Sequence, residues 1–233
     1  MDRNMFRAIE NHMIKCMDDS AHDREHVYRV LYNALEIAKD ESDVDRDILV
    51  IACLLHDIGR KEQFENPGLC HARVGAEKAY RFLLEIGFSE IDAGKVKRCI
   101  QTHRYRKNDP PASIEARILY DADKLDVTGA LGIARTLLYK GIVSEPLYTV
   151  TSDGTVSTGE HDTEPSFLQE YKYKLENIYD KFRTSRGREI AGQRREAAVS
   201  FYRNIVREVT ESYTAGHAEL DRFLAEENGE RSL

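Results

Sequence analysis

The chain has no tryptophan, and only five prolines and four cysteines among its 233 residues. No apolar run approaches the ~20 residues needed to cross a bilayer. The opening stretch MDRNMFRAIENHMIKCM reads as an amphipathic helix without the long apolar segment of a signal peptide. These absences predict a cytoplasmic protein with no membrane partner. The cysteines Cys16, Cys53, Cys70 and Cys99 form no CxxC pair, and Cys53 and Cys99 fall inside apolar helical patterns. Reduced, buried thiols are therefore expected, which argues against a thiolate zinc site. HExxH is also missing, and with it the commonest helix-borne metalloprotease signature. Acidic and basic residues are mixed along a chain of net charge −7, with no basic block, so duplex nucleic acid is not an expected partner. A small anionic substrate held by a few local cations remains compatible.

What the sequence does have is apolar spacing of three and four residues almost throughout, the mark of an all-α protein. Helices are expected near 4–17, 20–40, 45–57, 71–86, 89–104, 113–122, 125–139, 166–183 and 187–226. Together they are read as a single helical domain over 1–233, with a C-terminal helical extension at 166–226. The one β signal is YTVTSDGTVST (148–158), in which alternating Thr/Val runs flank an Asp-Gly turn. The run Ile48–Leu55 is apolar all round, and its charged start and following glycine favour a helix over a strand. Such a helix belongs in the centre of the protein. His56 and Asp57 stand at its end.

Helical spacing puts titratable side chains among core residues on five separate helices. His26 is in line with Val30, Ala34 and Ile37; His56 with Leu49 and Ala52; His103 with Val96 and Ile100. His71 opens a helix whose inward positions continue with Val74, Ala79 and Phe82, and Asp121 follows Ile114 and Ile118. One inward histidine is ordinarily a hydrogen-bonded core residue. An inward carboxylate needs a cation or several donors. Five such residues together would need five private partners, whereas one divalent cation satisfies several at once. Imidazole and carboxylate suit Mn²⁺, Fe²⁺, Zn²⁺ or Mg²⁺. Periodicity does not place Asp57 inward.

The ordered set His26, His56-Asp57 and Asp121 resembles the HD superfamily of metal-dependent phosphohydrolases, named for its His–Asp doublet. The phrases HDREHVYRVLYNALEIA (22–38), IACLLHDIGR (51–60), CHARVGAEKAY (70–80), IQTHR (100–104) and DADKLDVTGALGIAR (121–135) are similar to those of its predicted bacterial and archaeal hydrolases. The resemblance spans a core of about 20–135 and implies an HD helical bundle. It implies that His26, His56, Asp57 and Asp121 hold a divalent ion, with Mn, Mg, Co, Zn, Ni and Fe all compatible. It further implies that His71 and His103 complete a second metal site or meet the substrate phosphate.

The expected reaction is hydrolysis of a phosphate ester or anhydride, possible for a nucleotide, by attack of metal-activated water. Asp57 would accept a proton or bridge two metals, and His103 would stabilise an oxygen or protonate the leaving group. His71, at a helix start, is well placed for an anionic oxygen. Lys124 and Arg60 are the candidate phosphate cations. His22 is assigned to the substrate pocket or to backing a ligand, and Asp123 and Asp126 to orienting ligands or pairing with nearby bases, Asp123 being also a candidate substrate contact. Two other functions share this ligand set: a di-iron oxygenase, and a non-catalytic module that binds a nucleotide.

Overall fold

The structure is a computed structural model that describes residues 1–17, 24–104, 109–152 and 154–230, with side chains described as far as 225. It is all-α, as expected. Packing divides the chain into two compact units, Met1–Asp126 with Lys181–Ala191, and Val127–Asp180 with Gly192–Leu233.

In the first unit the helices are α1 (Arg3–Met17), α2 (Arg24–Ile37), α3 (Arg46–Leu55), α4 (Arg60–Glu65), α5 (His71–Glu85), α6 (Glu90–Thr102) and α7 (Ile114–Leu125). The apolar run does form the central helix: α3 packs against α1, α2, α5, α6 and α7. Ile48, Leu49, Ile51, Ala52, Cys53, Leu54 and Leu55 are all buried. Each large aliphatic side chain so buried contributes roughly 1.5–3 kcal/mol. Side-chain caps fix where helices begin: Asp45 accepts from the Ile48 amide at 3.1 Å, and Ser113 from the Ala116 amide at 3.1 Å. Ser89 does the same for α6, through the Asp92 amide.

The short helix α4 was not foreseen. It follows a tight turn at Asp57–Gly59, which α5 approaches closely. A β-carbon on Gly59 would lie 2.4 Å from the His71 carbonyl oxygen and 2.5 Å from the Gly75 nitrogen. Only glycine lets the start of α5 sit against the doublet.

In the second unit α8 (Gly129–Ile142) is followed by an irregular segment and by most of α10 (Ser185–Glu230). A single helix was expected over 166–183. The chain instead makes one α turn, α9 (Phe167–Glu170), a π turn (Tyr171–Leu175) and a 3₁₀ turn (Tyr179–Lys181). Within that π turn the Glu176 amide bonds the Tyr171 carbonyl, five residues back, at 2.8 Å. The register shift keeps Phe167, Tyr171 and Leu175 buried in one cluster with Ile133, Leu168 and Ala198. The expected hairpin is reduced to one antiparallel bridge between Val150 and Val156.

Candidate metal centre

Five of the site's side chains come from helix ends or the turns beside them. His56 is the C-cap of α3 and His103 that of α6, while His71 is the first residue of α5. Asp57 lies in the turn after His56, and Asp123 in the last turn of α7; His26 projects from within α2. All belong to the first unit.

The rings are oriented by their Nδ1 atoms. His56 Nδ1 donates to the Cys53 carbonyl at 2.7 Å, and His103 Nδ1 to the Ile100 carbonyl at 2.7 Å. His71 Nδ1 donates to Gln63 Oε1 at 2.5 Å, and His26 Nδ1 to Asp126 Oδ2 at 2.7 Å. Because each partner is an acceptor, Nδ1 carries the proton and Nε2 is left for the site.

The four Nε2 atoms converge in two pairs. His26 and His56 stand 3.3 Å apart, and His71 and His103 stand 3.4 Å apart. Asp57 lies between the pairs. Its Oδ2 is 3.5 Å from His26 Nε2 and 3.6 Å from His56 Nε2, while Oδ1 is 3.5 Å from His71 Nε2 and 3.7 Å from His103 Nε2. Asp123 Oδ1 joins the first pair, 3.4 Å from His26 Nε2. Two groups result: His26, His56 and Asp123, and Asp57, His71 and His103, each with its ligand atoms within 4.8 Å of one another.

These residues fit a divalent cation. Atoms bound at about 2.0–2.2 Å to one tetrahedral or octahedral ion stand about 2.8–3.6 Å apart, and the spacings fall at or just beyond the upper part of that range. Asp57 Oδ1 is buried and accepts no hydrogen bond, an arrangement that costs free energy unless a cation compensates it. The electrostatics agree. Burial opposes ionisation of Asp57, but His56, Arg60 and His26 outweigh it and hold the carboxyl well below its ordinary value. Burial likewise opposes protonation of His26, yet Asp123, Asp126 and Asp57 together raise its pKa well above the usual imidazole value. The other rings stay neutral: burial lowers that of His56, pushes His71 to about 2 and pushes His103 to about 4.

The structure thus brings together His26, His56, Asp57, His71 and His103 from the expected set. It does not bring Asp121. That carboxylate is buried but turned to the chain returning after the second unit's turns. Its Oδ1 accepts from the Arg183 amide at 2.8 Å, and its Oδ2 from the Thr184 amide at 2.7 Å and the Thr184 hydroxyl at 2.6 Å. Two residues on, at about 200° around the helix, Asp123 faces the histidines instead. Lys124 reaches the rim, with Nζ 3.5 Å from Asp123 Oδ2 and 3.4 Å from the His103 carbonyl. Arg60 Nε is 3.0 Å from Asp57 Oδ2. His22 lies outside the described residues.

The HD domain family matches residues 24–128, which contain every residue of both groups. Residues 24–128 thus carry an HD domain. Among curated proteins, this chain is similar to YpgQ of Bacillus subtilis, 28% identical over 196 residues, 82% of this chain and 86% of YpgQ. The crystal structure of Bacillus subtilis YpgQ in complex with ADP aligns with a TM-score of 0.67 at 26% identity, covering 88% of this chain and 97% of that one. A predicted HD superfamily hydrolase from an uncultured Thermotogales bacterium aligns at 29% identity with a TM-score of 0.57, covering 88% of this chain and 92% of the other. This chain therefore has the fold of HD-superfamily hydrolases and, in its His/Asp cluster, residues able to hold a divalent metal.

Sequence reasoning missed Gln63, the acceptor that orients His71, and Arg29, whose Nε and Nη2 hold Asp126 at 2.7 Å and 3.1 Å. Arg29 follows His26 by three residues, a spacing that puts both on one helix face. Gln63 carried no signal, because no helix was expected between residues 57 and 71.

Proposed function

We propose that this protein is a metal-dependent phosphohydrolase that cleaves a phosphate ester or anhydride, with a nucleotide as substrate. The observation that carries the reading is the convergence of four histidine Nε2 atoms on the two oxygens of one buried carboxylate, Asp57. In this reading His26, His56, Asp57 and Asp123 hold the metal. A divalent ion bound there supplies Lewis acidity toward a phosphoryl oxygen and lowers the pKa of water.

The chain's own groups do the rest. Asp57 Oδ1 faces the opposite pair and accepts the proton of the attacking water. His71 and His103, neutral and with an unprotonated Nε2 turned inward, stand where a further cation is held or where a proton is accepted. Lys124 and Arg60 neutralise phosphate charge at the rim, each keeping one contact to a site carboxylate. The ADP complex of YpgQ supports a nucleotide as the ligand class.

The test is hydrolysis of a broad panel of phosphate esters and nucleotides by protein loaded with Mn²⁺, Mg²⁺ or Co²⁺. Metal-dependent release of phosphate or nucleotide products is expected, and His56→Ala and Asp57→Ala abolish it. Absence of turnover across the panel, with the site intact and loaded, overturns the reading. The position of Asp57 between the two histidine pairs also suits a di-iron oxygenase. Two irons per chain with oxygen consumption would mark that alternative; turnover with one Mn²⁺ or Mg²⁺ would exclude it.

A further inference from the structure

His26 differs from the other three rings in what stands behind it. The Nδ1 atoms of His56 and His103 donate to main-chain carbonyls three residues earlier, on their own helix ends. His71 leans on a neutral amide. Those orientations are set locally and by uncharged groups. The acceptor of His26 is a carboxylate a hundred residues away, Asp126 at the C-cap of α7, with no solvent exposure. Asp126 in turn is gripped by Arg29, through Nε to Oδ1 at 2.7 Å and Nη2 to Oδ2 at 3.1 Å. Arg29 lies one turn beyond His26 on α2, so ring and guanidinium meet the same carboxylate from the same helix.

We propose that Asp126 is a positioning residue: aligned by Arg29, it holds the His26 ring with Nε2 toward His56 and Asp123. The inference rests on the reading of those three residues as metal ligands. Three features support it. Buried without its partner, the His26 Nδ1–H would be an unsatisfied donor and the ring free to turn over, presenting the wrong nitrogen. An ion pair needed only for stability would have no reason to share an oxygen with a histidine whose other nitrogen faces the site. Finally, the distances leave no room for water between the partners, so orientation is transmitted directly.

The experiment separates positioning from a merely structural ion pair, because Asp126→Asn and Arg29→Gln both break that pair but only the first alters the partner of His26. Zinc affinity is measured by competition with a chelating dye, alongside thermal melting. His26 is followed by long-range proton–nitrogen NMR on zinc-loaded protein. Asp126→Asn should weaken zinc binding 10–100-fold and erase the slowly exchanging Nδ1 proton of His26. Arg29→Gln should keep affinity within about threefold and retain that proton, although both variants melt at lower temperature. If Asp126→Asn does not fold, Asp126→Glu replaces it, with a smaller loss of affinity expected. Equal loss in both variants, or wild-type affinity in the Asp126 variant, overturns the proposal. If zinc leaves the His26 signals of the wild type unmoved, the metal reading itself fails, a result distinct from either.

Discussion

The two candidate ligand groups meet at Asp57 yet differ in how much negative charge surrounds them. His26, His56 and Asp123 have a carboxylate of their own, and a second carboxylate, Asp126, behind His26. His71 and His103 have only the shared Asp57, and uncharged acceptors behind both rings. The protonation of the rings reflects this difference. Surrounding carboxylates outweigh burial at His26, whereas burial prevails at His71 and His103, driving them to about 2 and about 4. A site that stabilises the positive charge of an imidazolium will also stabilise a divalent cation. On the proposed reading, the first group is therefore the tighter metal site, and the second the side that meets substrate or a weakly held ion.

Removing what the groups share should have the largest effect. Asp57→Ala deletes a ligand oxygen from each side, and metal analysis together with turnover should show loss of bound metal and at least a ~1,000-fold fall in kcat, in line with losses on removing a group central to the transition state. The comparison is sharpened next by pairing Asp123→Ala with His103→Ala. Equilibrium dialysis with Mn²⁺ should show Asp123→Ala losing roughly 100-fold in affinity. His103→Ala should keep Mn²⁺ while kcat drops roughly 10²-fold, the size expected for one general acid–base group. Equal loss of metal in the two variants would erase the asymmetry.

A smaller effect is expected at Asp121. Asp121→Asn weakens hydrogen bonds to the Arg183 and Thr184 amides, so thermal melting should register a loss of about 1–3 kcal/mol, with Mn²⁺ affinity unchanged. The smallest belongs to Gln63. Gln63→Ala frees the His71 ring, and steady-state kinetics should show only a few-fold fall in kcat, with no change in bound metal.

Asp121 also shows how far the sequence could be read. Helical spacing from Ile114 and Ile118 places it inward, and it is buried. Periodicity reports burial, however, and not what the buried group meets. Here that is a segment sixty residues later, Arg183 and Thr184, whose return to α7 no local pattern announces. The same limit hid α4. Its six residues carry too few apolar positions for a period, and Gln63 went unseen with it. The central helix was legible because an apolar run of that length has one stable environment. His26, His56, His71 and His103 were legible because histidine is rare on faces otherwise made of Val, Ile and Ala. The irregular turns over 166–183 were not, since a π turn preserves an apolar pattern while shifting its phase by one residue.

The central claim is that a metal ion binds between His26, His56, Asp57 and Asp123. Its most direct test is an anomalous-difference map from crystals grown with Mn²⁺. The account predicts a peak within about 2.0–2.4 Å of both Nε2 atoms and of one oxygen from each carboxylate, with Asp121 still bonded to the Arg183 and Thr184 amides. A peak coordinated by Asp121 in place of Asp123, or none among these histidines at saturating Mn²⁺, would contradict it.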